Sequence, residues 1–580
     1  MENRIPHAEF PRPDFKRPQW LCLNGEWNFA FEDGADGLAL GYHENKGLPQ
    51  KILVPFCYQS EMSGIGDSTY HETVWYAREF ELAGNLPPCA LLKFGAVDYE
   101  AQVWVNGSYV GAHRGGHVQF AFEITRWLRP GTNTIALRAR DDRSLAKPRG
   151  KQIWQDENER CWYTPTTGIW QSVWLEITSR THLEKLLFTP DIDRRCVQAE
   201  VFMNEAVPDM ALDFTVSYEG RAVKQMRVTA GDTCVREFIA LSEEDAVDEV
   251  QYWYPESPKL YEVCVRLLDG ERELDRVESY FGMRKIERRG DRIYLNNKEL
   301  YQRLVLDQGY WPESLLTPPS DDAIRKDIAK TKEFGFNGAR KHQKFEDPRY
   351  YFWADKMGLL VWGELPSAYQ FHNGTMEALT REWLAFLEQS YNHPCLIAWV
   401  PLNESWGVRN IVADEKQQRF AAGLYHMTKA FDSTRLVSTN DGWETVEATD
   451  LVGIHDYVAA GEDFSRRYAD WEEFLQHGIP YRLPVALGQR YQGQPVLLTE
   501  YGGISFADDS KTNWGYNGAV ESVEAFLARL RGITRAIRET PYLRGFCYTQ
   551  LTDVMQETNG LMTMAREEKV PAKQLQTIFG

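Results

Sequence analysis

One pattern in the second half of the chain constrains its fold more strongly than any other. From about residue 285 onward, short apolar segments alternate with amphipathic helical segments. The apolar segments number eight and lie at 300–306, 336–340, 359–362, 396–400, 436–438, 451–454, 496–499 and 545–548. Eight βα repeats in about 295 residues are typical of a (β/α)8 barrel. We therefore predict a TIM barrel over residues 284–580.

The first half of the chain has a different pattern. Short runs of β-branched and aromatic residues are separated by Gly, Pro and Asn, and Asn106-Gly107 joins two such runs as a two-residue hairpin turn. Short strands at this spacing predict an antiparallel β-sandwich over residues 1–180. A second strand-rich block, over residues 181–283, has the size of an immunoglobulin-like domain.

Composition argues against several kinds of function. The chain of 580 residues has 65 Lys and Arg against 84 Asp and Glu, and this net charge of −19 disfavours binding to nucleic acid or anionic membranes. Its nine cysteines contain no CxxC pair, which argues against a disulfide framework and against a zinc ribbon. No apolar run is long enough for a membrane helix and no signal peptide is visible, so we expect a cytoplasmic protein.

Polar and aromatic side chains follow the predicted barrel strands, at the end where barrel active sites lie. We expect them to converge on one rim. Aromatic residues make up 13% of the chain, and their flat apolar faces are suited to stacking on sugar rings. The rim residues are Asp307, Arg340, His342, Glu364, Asn403, Glu404, Asn440, Asp441, Trp443, His455, Asp456, Tyr457, Glu500, Tyr501, Tyr548, Thr549 and Gln550.

Two glutamates on this rim suggest a chemistry. Glu404 and Glu500 follow predicted strands 4 and 7 and are 96 residues apart, so they face each other across the barrel. Cleavage of a glycosidic bond needs such a pair, because one carboxyl group protonates the leaving oxygen while the other meets the oxocarbenium-like transition state. The pair predicts a glycosidase.

Several motifs then identify a family that the chain resembles over nearly its whole length. They are Asn24-Gly25-Glu26-Trp27, the segments 168–176, 253–255 and 281–284, Asn392-His393-Pro394-Cys395 leading to Asn403-Glu404, and Thr499-Glu500-Tyr501-Gly502. The chain resembles glycoside hydrolase family 2, which includes β-galactosidases, β-glucuronidases and β-mannosidases. This resemblance implies a jelly-roll N-terminal domain, an immunoglobulin-like β-sandwich and a catalytic TIM barrel.

The resemblance also implies roles for single residues. Glu404 would be the general acid/base and Glu500 the nucleophile of a reaction that retains anomeric configuration. Asn403 would hydrogen-bond the sugar 2-hydroxyl, and Tyr457 would lie against Glu500. We expect the neighbouring carboxylate to raise the pKa of Glu404, so that Glu404 begins protonated.

Three departures from the family pattern bear on the sugar. After strand 2 the chain reads Lys341-His342-Gln343-Lys344-Phe345, which adds two lysines to the rim. The uronate-binding Asn-x-Lys element of β-glucuronidases is replaced by Glu557 and Asn559, and the extra carboxylate would repel a uronate. Unless Arg340, Lys341 or Lys344 takes over that role, a neutral sugar is favoured. Strand 8 commonly delivers a Trp beneath the sugar, and Tyr548 would take its place here.

We therefore predict a retaining exo-β-glycosidase that acts on a small glycoside or oligosaccharide, with a β-galactoside as the first choice. The alternatives are a β-glucuronide or β-galacturonide, a β-mannoside and an α-L-arabinoside, and outside enzymes a silent carbohydrate-binding protein. No nucleotide cofactor is predicted, and Glu364 could contribute to a Mg²⁺ site that nothing in the sequence requires. A homo-oligomer is possible. Trp154 and Trp162 could reach the barrel mouth from the jelly-roll domain.

Overall fold

The N-terminal domain is a sandwich of two antiparallel sheets. The computed structural model describes residues 5–34, 36–242, 250–506 and 514–580. The predicted hairpin at Asn106-Gly107 is confirmed: both residues have positive φ (50° and 78°), and Val105 pairs with Ser108. The first sheet has four strands, which are Trp20–Cys22, Val173–Thr178, Cys89–Phe94 and Phe120–Glu123. The second sheet has six strands, which are Gln50–Val54, Gly25–Phe31, Thr73–Leu82, Gly131–Arg140, Glu100–Val105 and Ser108–Arg114. A short pair, Val97–Asp98 with Gly168–Ile169, lies beside them.

The second domain is a smaller antiparallel sandwich. Alternate residues of its strands are buried, so each sheet has one apolar face turned toward a common core. Its sheets contain Leu183–Asp191, Cys196–Met203 and Cys234–Ala240, and Arg221–Thr229, Met210–Tyr218, Tyr261–Asp269 and Arg272–Phe281, with a short hairpin at Trp253–Tyr254 and Ser257–Pro258.

The C-terminal domain is the predicted TIM barrel. Its eight parallel strands are numbered 1 to 8 in chain order and hydrogen-bond in the order 5-4-3-2-1-8-7-6. They are Gln302–Asp307, Gly338–Lys341, Leu360–Glu364, Leu396–Val400, Leu436–Val437, Val452–His455, Val496–Gly502 and Leu543–Thr549. A small sheet of Ile286–Arg289, Arg292–Leu295 and Lys298–Glu299 precedes strand 1.

The helices differ from the predicted repeat at two connections: strands 5 and 6 have no helix between them, and strands 6 and 7 have two. The helices are Asp321–Glu333, Pro348–Met357, Asn373–Ser390, Glu415–Phe431, Gly461–Arg467, Trp471–His477, Val523–Glu539 and Ala572–Phe579, and the 3-10 turns Tyr42–Glu44, Glu61–Ser63 and Thr125–Trp127 lie in the first domain. Strands 5 and 6 are joined by residues 438–451 without a helix. This short, polar connection instead stays on the rim, where Asn440 and Asp441 hydrogen-bond the loop after strand 4.

Buried polar contacts join the three domains. Arg17 of the N-terminal segment pairs with Glu176 of the first sandwich and, at 3.0 Å, with Asp275 of the second. Glu382 of the barrel accepts hydrogen bonds from the backbone amides of Gly116 and His117. The jelly-roll domain is thereby held on the barrel. All nine cysteines are free, and among the described residues no helix is both long and apolar enough to cross a membrane.

Candidate active site

Two carboxylates and a histidine meet at the barrel rim. Glu404 follows strand 4, His455 ends strand 6 and Glu500 lies in strand 7. Nδ1 of His455 is 2.7 Å from Oε1 of Glu404 and 3.4 Å from Oε2 of Glu500. One carboxylate oxygen of Glu404, one ring nitrogen of His455 and one carboxylate oxygen of Glu500 all lie within 4.8 Å of one another. The structure thus brings together the two glutamates that the sequence places on opposite strands.

Arg340 of strand 2 connects the acidic groups around this centre. Its guanidinium donates to Glu364 at 2.8 Å, to Glu500 at 2.9 Å and to Oδ1 of Asn403 at 2.5 Å, and it lies 3.1 Å from Asp441. Burial works to lower the pKa of Arg340, but the charges of Asp441, Glu364 and Glu500 outweigh it and raise that pKa. The buried positive charge of Arg340 therefore fixes the positions of these side chains relative to one another.

The backbone at Glu404 is strained. Glu404 and Ser405 both have positive φ, at 51° and 58°, a backbone region that residues other than glycine rarely adopt. The loop after strand 5 holds this conformation, because the amide of Glu404 donates to the carbonyl of Asp441 at 2.8 Å and the amide of Ser405 donates to Oδ1 of Asn440 at 3.0 Å. In this conformation the carboxylate of Glu404 lies 2.7 Å from Nδ1 of His455.

His455 and Glu404 share the proton of this site. Nε2 of His455 lies 3.1 Å from Asp441, so that nitrogen is assigned a hydrogen and Nδ1 faces Glu404. Burial lowers the pKa of His455, but Glu500, Asp441 and Glu404 together raise it to about 9. Burial raises the pKa of Glu404, yet its contact with His455 lowers it to about 2. The expected raised pKa of Glu404 is thus wrong, because a protonated His455 lies between the two carboxylates.

Three further polar side chains, those of Asn403, Trp443 and Tyr457, lie beside this centre. The hydroxyl of Tyr457 donates to Glu500, as the family resemblance implied, and the Tyr457 ring stacks on Tyr516 with centroids 4.1 Å apart. Asn403 uses Oδ1 to accept from Arg340, and its Nδ2 has no partner among the described residues. Nε1 of Trp443 also has none there, and the Trp443 ring lies 5.4 Å from that of His455.

The two added lysines, Lys341 at the end of strand 2 and Lys344 after it, both have carboxylate partners. Lys341 lies 2.8 Å from Asp307 and 2.8 Å from Glu346, and Lys344 lies 2.9 Å from Glu346. Lys344 also donates to the carbonyls of Gly309 and Leu316. Asp307 is engaged by this cluster and by the amide of Gly309. The prediction that Lys341 or Lys344 could receive a uronate is therefore not supported, because their charges are already neutralised inside the fold.

His342 and Glu364 form a second pair near the centre. Nδ1 of His342 lies 2.9 Å from Oε1 of Glu364. Burial, followed by the charge of Lys151, lowers the pKa of His342 well below its ordinary value, so this ring is neutral. Burial is also the main reason that the pKa of Glu364 is raised, to about 7. His342 follows strand 2 and Glu364 ends strand 3, so both lie at the same end of the barrel.

Tyr548 does not take the predicted place beneath the sugar. Its ring packs on Tyr501 and on Phe579 of the last helix, with centroids 5.7 and 5.6 Å away. Alternation along strand 8 points Tyr548 toward the helical layer and Thr549 inward, where Thr549 lies 3.3 Å from the hydroxyl of Tyr457. The residue facing the site from this strand is therefore Thr549.

Glu557 and Asn559 belong to a buried hydrogen-bond network. Asn559 donates to Glu557 at 3.0 Å and accepts from Gln550 at 2.9 Å, and Tyr163 of the jelly-roll domain donates to the other oxygen of Glu557. Burial raises the pKa of Glu557 to about 7, although Lys151 works in the opposite direction. Glu557 is thus held by two donors rather than presented as a free anion.

A loop of the jelly-roll domain, residues 141–167, reaches the barrel mouth. Its Trp154 and Trp162 pack on Tyr369, and Trp162 also contacts Trp406, at a centroid distance of 5.6 Å. Trp406 donates to Oε2 of Glu404 at 3.2 Å. Sequence reasoning missed Trp406, although its position two residues after Glu404 was a usable signal.

Lys151 of the same loop was also missed. It is 5% exposed, and its charge interacts with Glu404, Glu557 and His342. No local motif marks Lys151, because only the packing of one domain on the other brings it to the rim. Among the described residues, no other three His, Cys, Asp or Glu side chains converge as Glu404, His455 and Glu500 do. Glu364 accepts a hydrogen bond from Arg340.

The chain matches the three domain models of one enzyme family. Residues 21–177 match the sugar-binding domain of glycosyl hydrolases family 2, residues 181–284 match the glycosyl hydrolases family 2 model, and residues 286–510 match its TIM barrel domain. The chain therefore belongs to glycosyl hydrolase family 2.

Curated relatives and solved structures are also similar to this chain. A β-galactosidase of Thermoanaerobacter pseudethanolicus is 25% identical over 66% of this chain and 50% of its own length, and a putative β-glucuronidase of Formosa agariphila is 24% identical over 77% and 39%. The chain thus spans half or less of the length of these curated relatives. Two solved structures share the fold over 98–100% of both chains. They are a GH2 β-galacturonidase of Eisenbergiella tayi bound to galacturonate (TM-score 0.78, 19% identity) and a β-glucuronidase of Ruminococcus gnavus with D-glucuronic acid (TM-score 0.78, 16% identity).

Proposed function

We propose that this chain is a retaining exo-β-glycosidase in which Glu500 is the nucleophile and Glu404 the general acid/base. One observation carries the proposal: oxygens of the two carboxylates lie within 4.8 Å of each other, with His455 between them. Retaining enzymes hold their carboxyl groups about 5–5.5 Å apart, whereas inverting enzymes leave about 6.5–9.5 Å for a water molecule.

The contacts of each group suit its role. Glu500, held by Arg340 and Tyr457, attacks the anomeric carbon and forms a glycosyl ester. Glu404 transfers to the leaving oxygen the proton that it shares with His455, and later takes one from the attacking water. The free Nδ2 of Asn403 and Nε1 of Trp443 are donors available to sugar hydroxyls.

The test is hydrolysis of nitrophenyl glycosides by wild type and by Glu500→Gln. The panel contains the β-galactoside, β-glucoside, β-mannoside, β-glucuronide and β-galacturonide and the α-L-arabinoside. We expect one of them to be cleaved with retention, as followed by NMR, and activity to fall about 10⁴-fold or more in the variant. Glu415→Gln, on an exposed helix face, is the matched control. Undiminished hydrolysis by Glu500→Gln would contradict the proposal, and sugar binding without hydrolysis in wild type would indicate a silent binding protein.

The preference for a neutral β-galactoside rested on repulsion of a uronate by Glu557. That argument is weakened, because Glu557 accepts from Tyr163 and Asn559 and its pKa is raised to about 7 by burial. The names of the relatives include β-galactosidase and putative β-glucuronidase, so they are compatible with either sugar. The choice depends on the remaining charges of the site.

A further inference from the structure

Lys151 is a buried cation at the barrel mouth that has no ion-pair partner in the described part of the chain. No carboxylate oxygen of a described residue lies within 4.0 Å of its Nζ, although Lys151 is only 5% exposed. The neighbouring cations differ in this respect: Arg340, Lys341, Lys344 and His455 each have a carboxylate oxygen at 2.7 to 2.9 Å. Because the ammonium has no direct ion-pair partner among the described residues, its hydrogen-bond donors are available to an anion that arrives from outside the chain.

The backbone fixes Lys151 against the barrel. The amide of Gly150 donates to the carbonyl of Ser367 at 3.1 Å, and the carbonyl of Gly150 accepts from the hydroxyl of Tyr369 at 2.6 Å. The carbonyl of Lys151 itself accepts from the amide of Tyr163 at 2.8 Å. These bonds fix the backbone at Lys151, and its side chain is only 5% exposed, so a ligand would meet its charge without ordering a freely moving side chain.

The surroundings of Lys151 keep it charged. Burial works to lower its pKa, but nearby acidic groups, Cys161, Tyr369, Glu404 and Glu557 among them, outweigh burial and raise that pKa. Lys151 is therefore an ammonium at all ordinary pH values.

The position of Lys151 favours the terminal sugar over the leaving group. Its charge interacts with Glu404 and also with Glu557, which lies on the loop after strand 8. The side chain of Glu404 is 15% exposed and that of Glu500 4%, so the leaving group departs toward the more open Glu404 side. A carboxylate that meets the deeply buried Lys151 must itself be enclosed, as the terminal sugar is in an exo-acting site.

We propose that Lys151, contributed by the jelly-roll domain, binds the carboxylate of a terminal uronic acid and makes the enzyme selective for β-uronides. This inference rests on the proposed glycosidase function and adds its substrate class. Glu557 and Asn559, which stand on the barrel where β-glucuronidases bind the uronate, are hydrogen-bonded to each other. Lys151 would bind the uronate carboxylate in their place.

The test compares sugars that differ only at C6. Nitrophenyl β-galacturonide is paired with β-galactoside, and β-glucuronide with β-glucoside, in wild type and in Lys151→Met and Lys151→Arg. We expect wild type to prefer a uronide, and Lys151→Met to lower kcat/KM for it about 100-fold or more while kcat/KM for its neutral partner changes less than threefold. Lys151→Arg retains part of the preference because it keeps the charge.

The control is Lys344→Met, which removes an equally buried lysine that has carboxylate and carbonyl partners. Its uronide-to-neutral ratio should stay at the wild-type value. An unchanged ratio in Lys151→Met, or an equal loss on both sugars, would overturn the role of Lys151. Cleavage of only the neutral partner by wild type, abolished in Glu500→Gln, would overturn the uronide assignment and leave the glycosidase proposal standing.

Wild type and Lys151→Met also distinguish two further outcomes. If wild type cleaves no glycoside, the glycosidase proposal fails, and calorimetry with galacturonate, glucuronate, galactose and glucose tests the site directly. Binding of a uronate that Lys151→Met abolishes would support the carboxylate site, and equal or absent binding of all four would overturn it. A Lys151-dependent preference for 4-carboxyphenyl over phenyl leaving groups on a neutral sugar would show that Lys151 recognises the leaving group instead.

Discussion

At the scale of single residues, His455 decides where the proton of the active site is held. Its Nδ1 hydrogen-bonds Glu404 at 2.7 Å, and its Nε2 is fixed by Asp441. The sequence marked His455 as a rim residue, but its charge depends on the three carboxylates that the fold places around it. Periodicity predicts which residues end a strand, and it does not predict such distances.

We predict that His455→Asn impairs substrates according to their leaving groups. Proton delivery from Glu404 matters little when the leaving group is a weak base, so 2,4-dinitrophenyl glycosides should lose less than about fivefold in kcat/KM. Methyl or phenyl glycosides should lose about 10²–10⁴-fold, the usual contribution of a general acid. An equal loss on both classes, measured by steady-state kinetics, would mean that His455 only supports the structure.

His455 and Glu404 also determine how the activity falls at alkaline pH. The pKa of His455 is raised from 6.5 to about 9, so the shared proton is present below pH 9 and is lost as the pH rises through that value. With phenyl glycosides, kcat/KM of wild type should fall above about pH 9. In His455→Asn, Glu404 alone holds the proton and the limb should move to lower pH. An alkaline limb unaffected by the substitution would contradict the shared proton.

At the scale of elements, the loop at 141–167 completes the barrel mouth, and Gly150 allows its close approach. A Cβ at Gly150 would lie 2.2 Å from the carbonyl oxygen of Gln343, and the residue has a φ of +62°. The sequence predicted the sandwich and the barrel separately. It could not predict this contact, because a single glycine in a loop carries no signal about its partner in another domain.

We predict that Gly150→Ala lowers kcat/KM at least tenfold by lifting Lys151 and the aromatic residues of the loop away from the barrel. Gly84→Ala is the matched control, because Gly84 has a φ of +82° but nothing within 4 Å of the added Cβ. In both variants an alanine at positive φ should lower the free energy of unfolding by about 1 kcal/mol, and thermal unfolding measures this loss. Equal activity of the two variants would show that the close approach has no effect on the site.

At the scale of the whole molecule, Arg17 joins both sandwiches. It is 1% exposed, it pairs with Glu176 and Asp275, and it donates to the carbonyl of Leu183. Burial alone would raise the pKa of Glu176, but Lys93 and Arg17 outweigh burial and hold it near 2. Removal of Arg17 therefore leaves buried carboxylates with fewer partners.

We predict that Arg17→Met destabilises the protein by about 3–5 kcal/mol, the usual cost of breaking a buried ion pair from one side. Calorimetry should show a lower melting temperature for the sandwich domains. Arg114→Ala serves as the comparison, since its contact with Glu100 is exposed and is worth less than about 1 kcal/mol. Similar melting curves for the two variants would mean that the Arg17 junction contributes little.

The sequence by itself determined the element types, the family and the two glutamates, since these depend on local periodicity and on short motifs such as Asn403-Glu404 and Thr499-Glu500. Tertiary structure alone decided which groups are charged and which are free. Lys341 and Lys344 lie next to candidate site residues in sequence, yet they are neutralised by Asp307 and Glu346. The distant Lys151, in contrast, has no ion-pair partner among the described residues. Electrostatic interactions depend on distance and burial, and the packing of one domain on another sets both.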